Sequence, residues 1–260
     1  MNIEFYQIDA FASEVFKGNP AGVCPLKEWL ADDVMQNIAF ENNLSETAFY
    51  VKNSDGFDIR FFTPTTEIDL CGHATLATSF VEFELKNNNS TFLNLNSKGG
   101  KLQITKQNEQ ITLDFPINNF TEIPLSKELK KPFLVEPVEA FSTAGHAVLV
   151  FKDSNSIENL KFDLLKIKEL NVKGVCVTAQ GKNYDFVSRF FAPKIGIDED
   201  PVTGFAHTFL TPLWAAKLKK EKMTAKQVSP RGGELICQLN ENRVLISGKA
   251  QLYLKGEITL

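Results

Sequence analysis

Ile59-Arg-Phe-Phe-Thr63 followed by Pro64, and Ser188-Arg-Phe-Phe-Ala192 followed by Pro193, are two copies of one pattern. Each reads as a strand stopped by proline, which has no N–H to give to a ladder. Each leads into an acidic segment, a glycine and then an apolar helical run. The first is Glu67-Ile-Asp-Leu-Cys-Gly-His-Ala-Thr75, the second Asp198-Glu-Asp-Pro-Val-Thr-Gly-Phe-Ala-His-Thr208. Arg60 to Gly72 is 12 positions and Arg189 to Gly204 is 15, so the second copy carries a short insertion. The pattern extends upstream. Asp9-Ala-Phe11 leads through Gly22 into Val23-Cys-Pro25, and Glu139-Ala-Phe141 leads through Gly145 into His146-Ala-Val-Leu-Val-Phe151. Matches in one order imply a duplicated domain, and two copies are too few for a solenoid.

The runs Gly72 to Leu85 and Phe205 to Leu218 are apolar around most of the helical circumference, so both are expected to be buried helices. Pro212 is expected to remove one hydrogen bond from the second and to kink it. Short β-rich runs surround them: Glu4 to Ile8, Ala48 to Val51, Leu102 to Thr105, Ile111 to Phe115, Gly174 to Thr178 and Arg243 to Ser247. Strands wrapped around one buried helix, twice over, is an α+β architecture of two pseudo-symmetric domains. The Pro-, Asn- and Lys-rich stretch 116–139 is read as the crossing. It gives an N-terminal half, 1–118, and a C-terminal half, 119–260, whose last strand could return to the first domain.

Composition narrows the function. The chain has 260 residues, 43% hydrophobic and 23% charged, and a net charge of −4, so no basic block invites nucleic acid. No run of about 18 apolar residues suggests a membrane span. Residues 1–9 do not read as a signal peptide. A cytoplasmic protein with free thiols at Cys24, Cys71, Cys176 and Cys237 is therefore expected. The three histidines, His73, His146 and His207, stand at no close metal-ligand spacing, and no metal is expected.

Gly72 and Gly204 each stand where a helix N-terminus would expose unpaired N–H groups, and glycine lets those amides approach a ligand. Two such ends facing one cleft would attract a carboxylate. The same glycines also fit plain strand-to-helix turns. His73 at a helix start, Asp200 before Pro201 and Glu46 at the head of a strand have ordinary readings too, as a cap, a turn former and a solvated side chain.

Taken together, these residues carry a resemblance. Gly18-Asn-Pro-Ala-Gly22, Leu44-Ser-Glu-Thr-Ala48, Asp69-Leu-Cys-Gly-His-Ala-Thr-Leu-Ala77, Asp200-Pro-Val-Thr-Gly204 and Ser229-Pro-Arg-Gly-Gly-Glu-Leu235 resemble the phenazine biosynthesis-like protein family, across nearly the whole chain. The resemblance implies a diaminopimelate epimerase-like fold, each domain a β-barrel-like sheet around a central helix. It implies no metal, flavin or pyridoxal cofactor, and a homodimer. It makes Glu46 the catalytic acid/base, with His73 and Asp200 as supporting catalytic residues. It places Asn19, Gly72, Gly204 and Phe205 at the substrate. Related epimerases pair two cysteines; Cys71 matches the first, whereas Gly204 stands at the second, so a two-thiol mechanism is not expected. Phe205 stands where the family more often has a smaller residue, and its ring would either shrink the pocket or favour an aromatic or cyclic substrate.

The function expected is a cofactor-independent isomerase moving a proton within a small carboxylate-bearing substrate. An amino-acid racemase or epimerase, and a non-catalytic small-molecule-binding protein on the same fold, are the alternatives.

Overall fold

All six β-rich runs lie in strands, save for Gly174 just before Val175–Gln180, because their alternating and β-branched residues pack on pleated surfaces. The computed structural model describes residues 1–86 and 90–260 of a mixed α/β chain with extensive sheet. By its internal packing the chain divides into two units: Met1–Phe115 with Leu245–Leu260, and Pro116–Val244.

In the first unit, Asn2–Ala10 pairs antiparallel with both Asn19–Leu26 and the C-terminal strand Ala250–Thr259. The chain then crosses through the helix Asp32–Asn42, so that Glu46–Lys52 lies parallel to Asn19–Leu26. Phe57–Phe62 returns antiparallel, pairs briefly with Glu67–Ile68, and receives Phe92–Ser97 in parallel across the helix Gly72–Phe80. In the second unit the same order of pairings recurs. Glu139–Thr143 and His146–Val150 are antiparallel, Val175–Gln180 is parallel, and Phe186–Ala192 is antiparallel. A short pairing with Ile197–Asp200 follows, then a parallel return of Lys222–Gln227 across the helix Gly204–Leu218.

The repeated Arg-Phe-Phe has a physical purpose in each unit. Successive strand side chains alternate between faces, so the arginine shares a face with the second phenylalanine. The Arg60 guanidinium lies 5.2 Å from the Phe62 ring centre, and that of Arg189 lies 5.3 Å from Phe191. Each then forks onto an acid of the following segment. Arg60 Nε and a terminal nitrogen reach Glu67 at 2.7 and 2.8 Å, and Arg189 reaches Glu199 at 2.7 and 2.9 Å. A planar fork meets a carboxylate with two parallel bonds, which lysine cannot do. The Arg60 hydrogen bonds, opposed by burial and aided by Lys98, pull the Glu67 carboxyl down to about 2. These clamps fix the acidic segments that lead into the two glycine-headed helices.

Residues His73 to Ser79 of the first helix are all buried. Three are hydroxyl residues, and each satisfies itself on a carbonyl four residues back. Thr75 donates to Cys71 O at 2.6 Å, Thr78 to Ala74 O at 2.9 Å and Ser79 to Thr75 O at 2.8 Å. The α-helix expected to run to Leu85 stops at Phe80, and a π-helical turn covers Val81–Leu85. The wider turn buries Glu82, whose Oε1 accepts a hydrogen bond from Tyr50 Oη at 2.5 Å. The second helix contains Pro212 and still runs unbroken from Gly204 to Leu218. No helix among the described residues is long and apolar enough to cross a membrane.

His207 sits fully buried in the second helix, with Nδ1–H donating to Thr203 O at 2.9 Å and Nε2 without a hydrogen-bond partner among the described residues. Burial pushes its pKa from 6.5 down to about 4, partly offset by the Thr203 carbonyl. The unfolded chain therefore takes up a proton below pH 6.5 that the folded chain refuses until about pH 4. The stability present above pH 6.5 is lost across that window, by up to about 3 kcal/mol. Urea unfolding should show this loss in the wild type, with a correspondingly flatter profile for His207→Phe. Equal slopes for the two proteins would show that His207 protonates freely in the fold.

Candidate active site

Parallel pairing brings the first residues of two strands to the same sheet end. Asn19 opens Asn19–Leu26 and Glu46 opens Glu46–Lys52, with Ala21 opposite Glu46 in the register. The strand Glu46–Lys52 is buried over its first five residues, which draws Glu46 inward; it is 7% exposed. The helix Gly72–Phe80 begins at the same place, with Cys71 in extended conformation as its N-cap and His73 in its first turn.

Four side chains converge there. His73 Nε2 lies 3.0 Å from Glu46 Oε2, a close ionic contact not aligned as an ideal hydrogen bond. His73 Nδ1 faces Asn19 Nδ2 at 3.3 Å and Cys71 Sγ at 3.4 Å. With the amide of Asn19 donating to Nδ1, the ring carries its proton on Nε2, toward the carboxylate. Burial works against a charged His73, but its interactions with Cys71 and Glu46 outweigh it and raise its pKa well above the ordinary imidazole value. Burial pushes the Cys71 thiol up, and the Glu46 charge pushes it further, partly offset by His73. No side chain caps the helix start at Gly72, so its first-turn amides and dipole remain directed at this cluster.

The second unit holds Asp200, Gly204 and Phe205 around the start of its own helix. Thr203 Oγ1 donates to Asp200 Oδ2. The Gln227 side chain is fully buried; its Oε1 accepts from Thr203 N at 2.9 Å, and its Nε2 donates to Asp200 O at 2.6 Å. Ser229 Oγ donates to Pro201 O at 2.7 Å. The turn before Gly204 is thus held from both sides. Phe205 is partly exposed, and its ring is braced by His146 at 5.3 Å and Phe209 at 5.7 Å.

The structure therefore brings Asn19, Glu46, Gly72 and His73 into one group and Asp200, Gly204 and Phe205 into a group in the other unit. Sequence reasoning missed Gln227, because a strand-ending glutamine carries no local signal of the turn it serves. The Cys71-Gly-His73 spacing sets the thiol beside the imidazole, a contact that the free-thiol reading of Cys71 does not include.

The chain is similar to known proteins along its whole length. The family model described as phenazine biosynthesis-like protein matches residues 8–256. An uncharacterized isomerase of Pseudomonas aeruginosa is 45% identical over the full length of both chains. A crystal structure of a PhzF-family phenazine biosynthesis protein from Enterococcus faecalis superposes with a TM-score of 0.97, at 48% identity and full coverage of both chains. A hydroxyproline epimerase from Agrobacterium vitis shares the fold alone, with a TM-score of 0.65 at 8% identity over 99% of this chain and 92% of that one.

Proposed function

The chain belongs to the phenazine biosynthesis-like protein family and is an isomerase, and on that premise we propose that Glu46 moves a proton between two carbons of a small carboxylate-bearing substrate. The observation that carries this reading is the buried Glu46 carboxylate with the His73 imidazole 3.0 Å away, at the uncapped start of a helix. Glu46 takes a C–H proton, and the electron pair left behind delocalises toward the substrate's unsaturated or carboxylate group. Glu46 then returns the proton to another carbon, so atoms and charge balance and no oxidant is needed. The amides of Gly72 and His73 hold the substrate carboxylate and meet the developing negative charge. His73 orients Glu46 and offers its Nε2–H as charge builds. Asn19 fixes the imidazole through Nδ1.

In the same reading each unit is a barrel-like sheet around its helix. Asp200 acts by holding Thr203 and the Gly204 turn, beside which Phe205 presents a braced ring face. The epimerase alternative loses support because Gly204 stands where a two-thiol mechanism would need its second cysteine.

The reading is tested by incubating the protein in D2O with small unsaturated and cyclic carboxylic acids and following each by mass spectrometry. At least one acid is expected to gain deuterium at a carbon position. An acid that raises the melting temperature, with no member of the panel gaining deuterium, would indicate a binding protein instead.

A further inference from the structure

Glu46, Cys71 and His73 each present one donor atom, and the three lie within 4.8 Å of one another. His73 Nε2 is 3.0 Å from Glu46 Oε2 and 4.0 Å from Cys71 Sγ. Bonds of about 2.0–2.3 Å to nitrogen, oxygen and sulfur in a tetrahedral zinc site place neighbouring donors roughly 3.3–3.8 Å apart. Rearrangements well under a side-chain rotation would bring these donors to that spacing. We propose that this trio is a binding site for a soft divalent cation of the zinc class, and that its occupation switches off the base. The second clause rests on the function proposed above; the first does not.

Three independent features point to a metal. Glu46 Oε2 is buried with no well-aligned hydrogen bond among the described residues; its close contact is the misaligned His73 Nε2 at 3.0 Å, which leaves a lone pair for a cation. With the protons of Cys71 and His73 released on binding, a carboxylate and a thiolate carry two negative charges and a neutral imidazole none, so a divalent ion would leave the buried site uncharged. Thiolate, imidazole and carboxylate together favour zinc over magnesium or calcium. Access separates Cys71 from the other thiols: it keeps 7% exposure, while Cys24, Cys176 and Cys237 have none. Three protein donors leave a fourth position open, as in reactive zinc sites. A cation there would engage the same Glu46 lone pairs that the isomerase needs for the substrate proton.

The test uses the full chain, stripped with a chelator and titrated with Co2+. One equivalent is expected to produce a thiolate-to-cobalt charge-transfer band in the near ultraviolet, and Zn2+ is expected to abolish it by displacement. Cys71→Ser should lose the band and bind Co2+ at least tenfold more weakly. Glu46→Gln should keep the band but bind more weakly than wild type. Melting curves establish that each variant is folded. If the folded wild type binds Co2+ without a thiolate band, or Cys71→Ser binds it as tightly, the site is wrong. With an acid that undergoes exchange, Zn2+ should suppress deuterium uptake and chelation restore it. A cobalt band in a protein that exchanges no acid would defeat the isomerase reading and leave the metal site standing. Exchange without a band would do the reverse.

Discussion

Gly18→Ala is expected to cost the protein about 2–4 kcal/mol and to weaken the active site with it. Gly18 has φ +67°, a conformation that alanine adopts only with strain. A Cβ built there would stand 2.1 Å from the Ala10 carbonyl oxygen and 2.9 Å from Ala12 Cβ. Both obstacles are fixed to backbone, so the turn itself has to move. Ala10 pairs with Asn19, the residue that holds His73. A displaced turn would therefore free the imidazole from one side and let Glu46 lose its orientation. Urea unfolding and deuterium exchange should both register the change. Gly196→Ala is the control. Gly196 also has positive φ, +87°, but nothing lies within 4 Å of its would-be Cβ, so about 1 kcal/mol is expected. Wild-type stability in Gly18→Ala would mean that the approach to Ala10 is looser than described.

The fold was readable because its strongest signal was a duplication. Arg-Phe-Phe with a following proline appears twice, and each copy lies in a strand that feeds a buried helix. What the repeat concealed was the reason for its arginines. Glu67 lies 7 residues beyond Arg60 and Glu199 lies 10 beyond Arg189, so no fixed spacing advertises the pairing. The π-helical turn after Phe80 was also invisible, since Glu82 and Tyr50 meet only once two elements have packed.

The candidate site was legible unevenly. Residue by residue, Glu46, His73 and Asn19 have bland readings, and only the family resemblance singled them out. Their meeting depends on the parallel pairing of two strands separated by a helix, a non-local event that no local pattern encodes. The donor set of Glu46, Cys71 and His73 escaped for the same reason: two ligands share a short motif, but the third comes from another strand. Asp200 before Pro201 has an ordinary reading as a turn former as well as the supporting role that the resemblance implies, and the glutamine that completes its network lies 27 residues away.

Glu46→Gln is the change that decides the account. Glutamine keeps the volume of glutamate, and its carbonyl oxygen can still accept a hydrogen bond from His73 Nε2, so the variant should fold and retain its melting transition. It should also still bind a small carboxylate at the Gly72 helix start, because the amides there are untouched. What it cannot do is accept a proton at neutral pH. General acid–base groups contribute about 10²–10⁴-fold, so exchange should fall by at least about a hundredfold. The direct measurement is the rate of deuterium incorporation from D2O into an exchanging acid, compared between wild type and a folded, acid-binding Glu46→Gln protein. The account predicts a loss of that size with binding preserved; a wild-type exchange rate in Glu46→Gln would contradict it and place the base elsewhere.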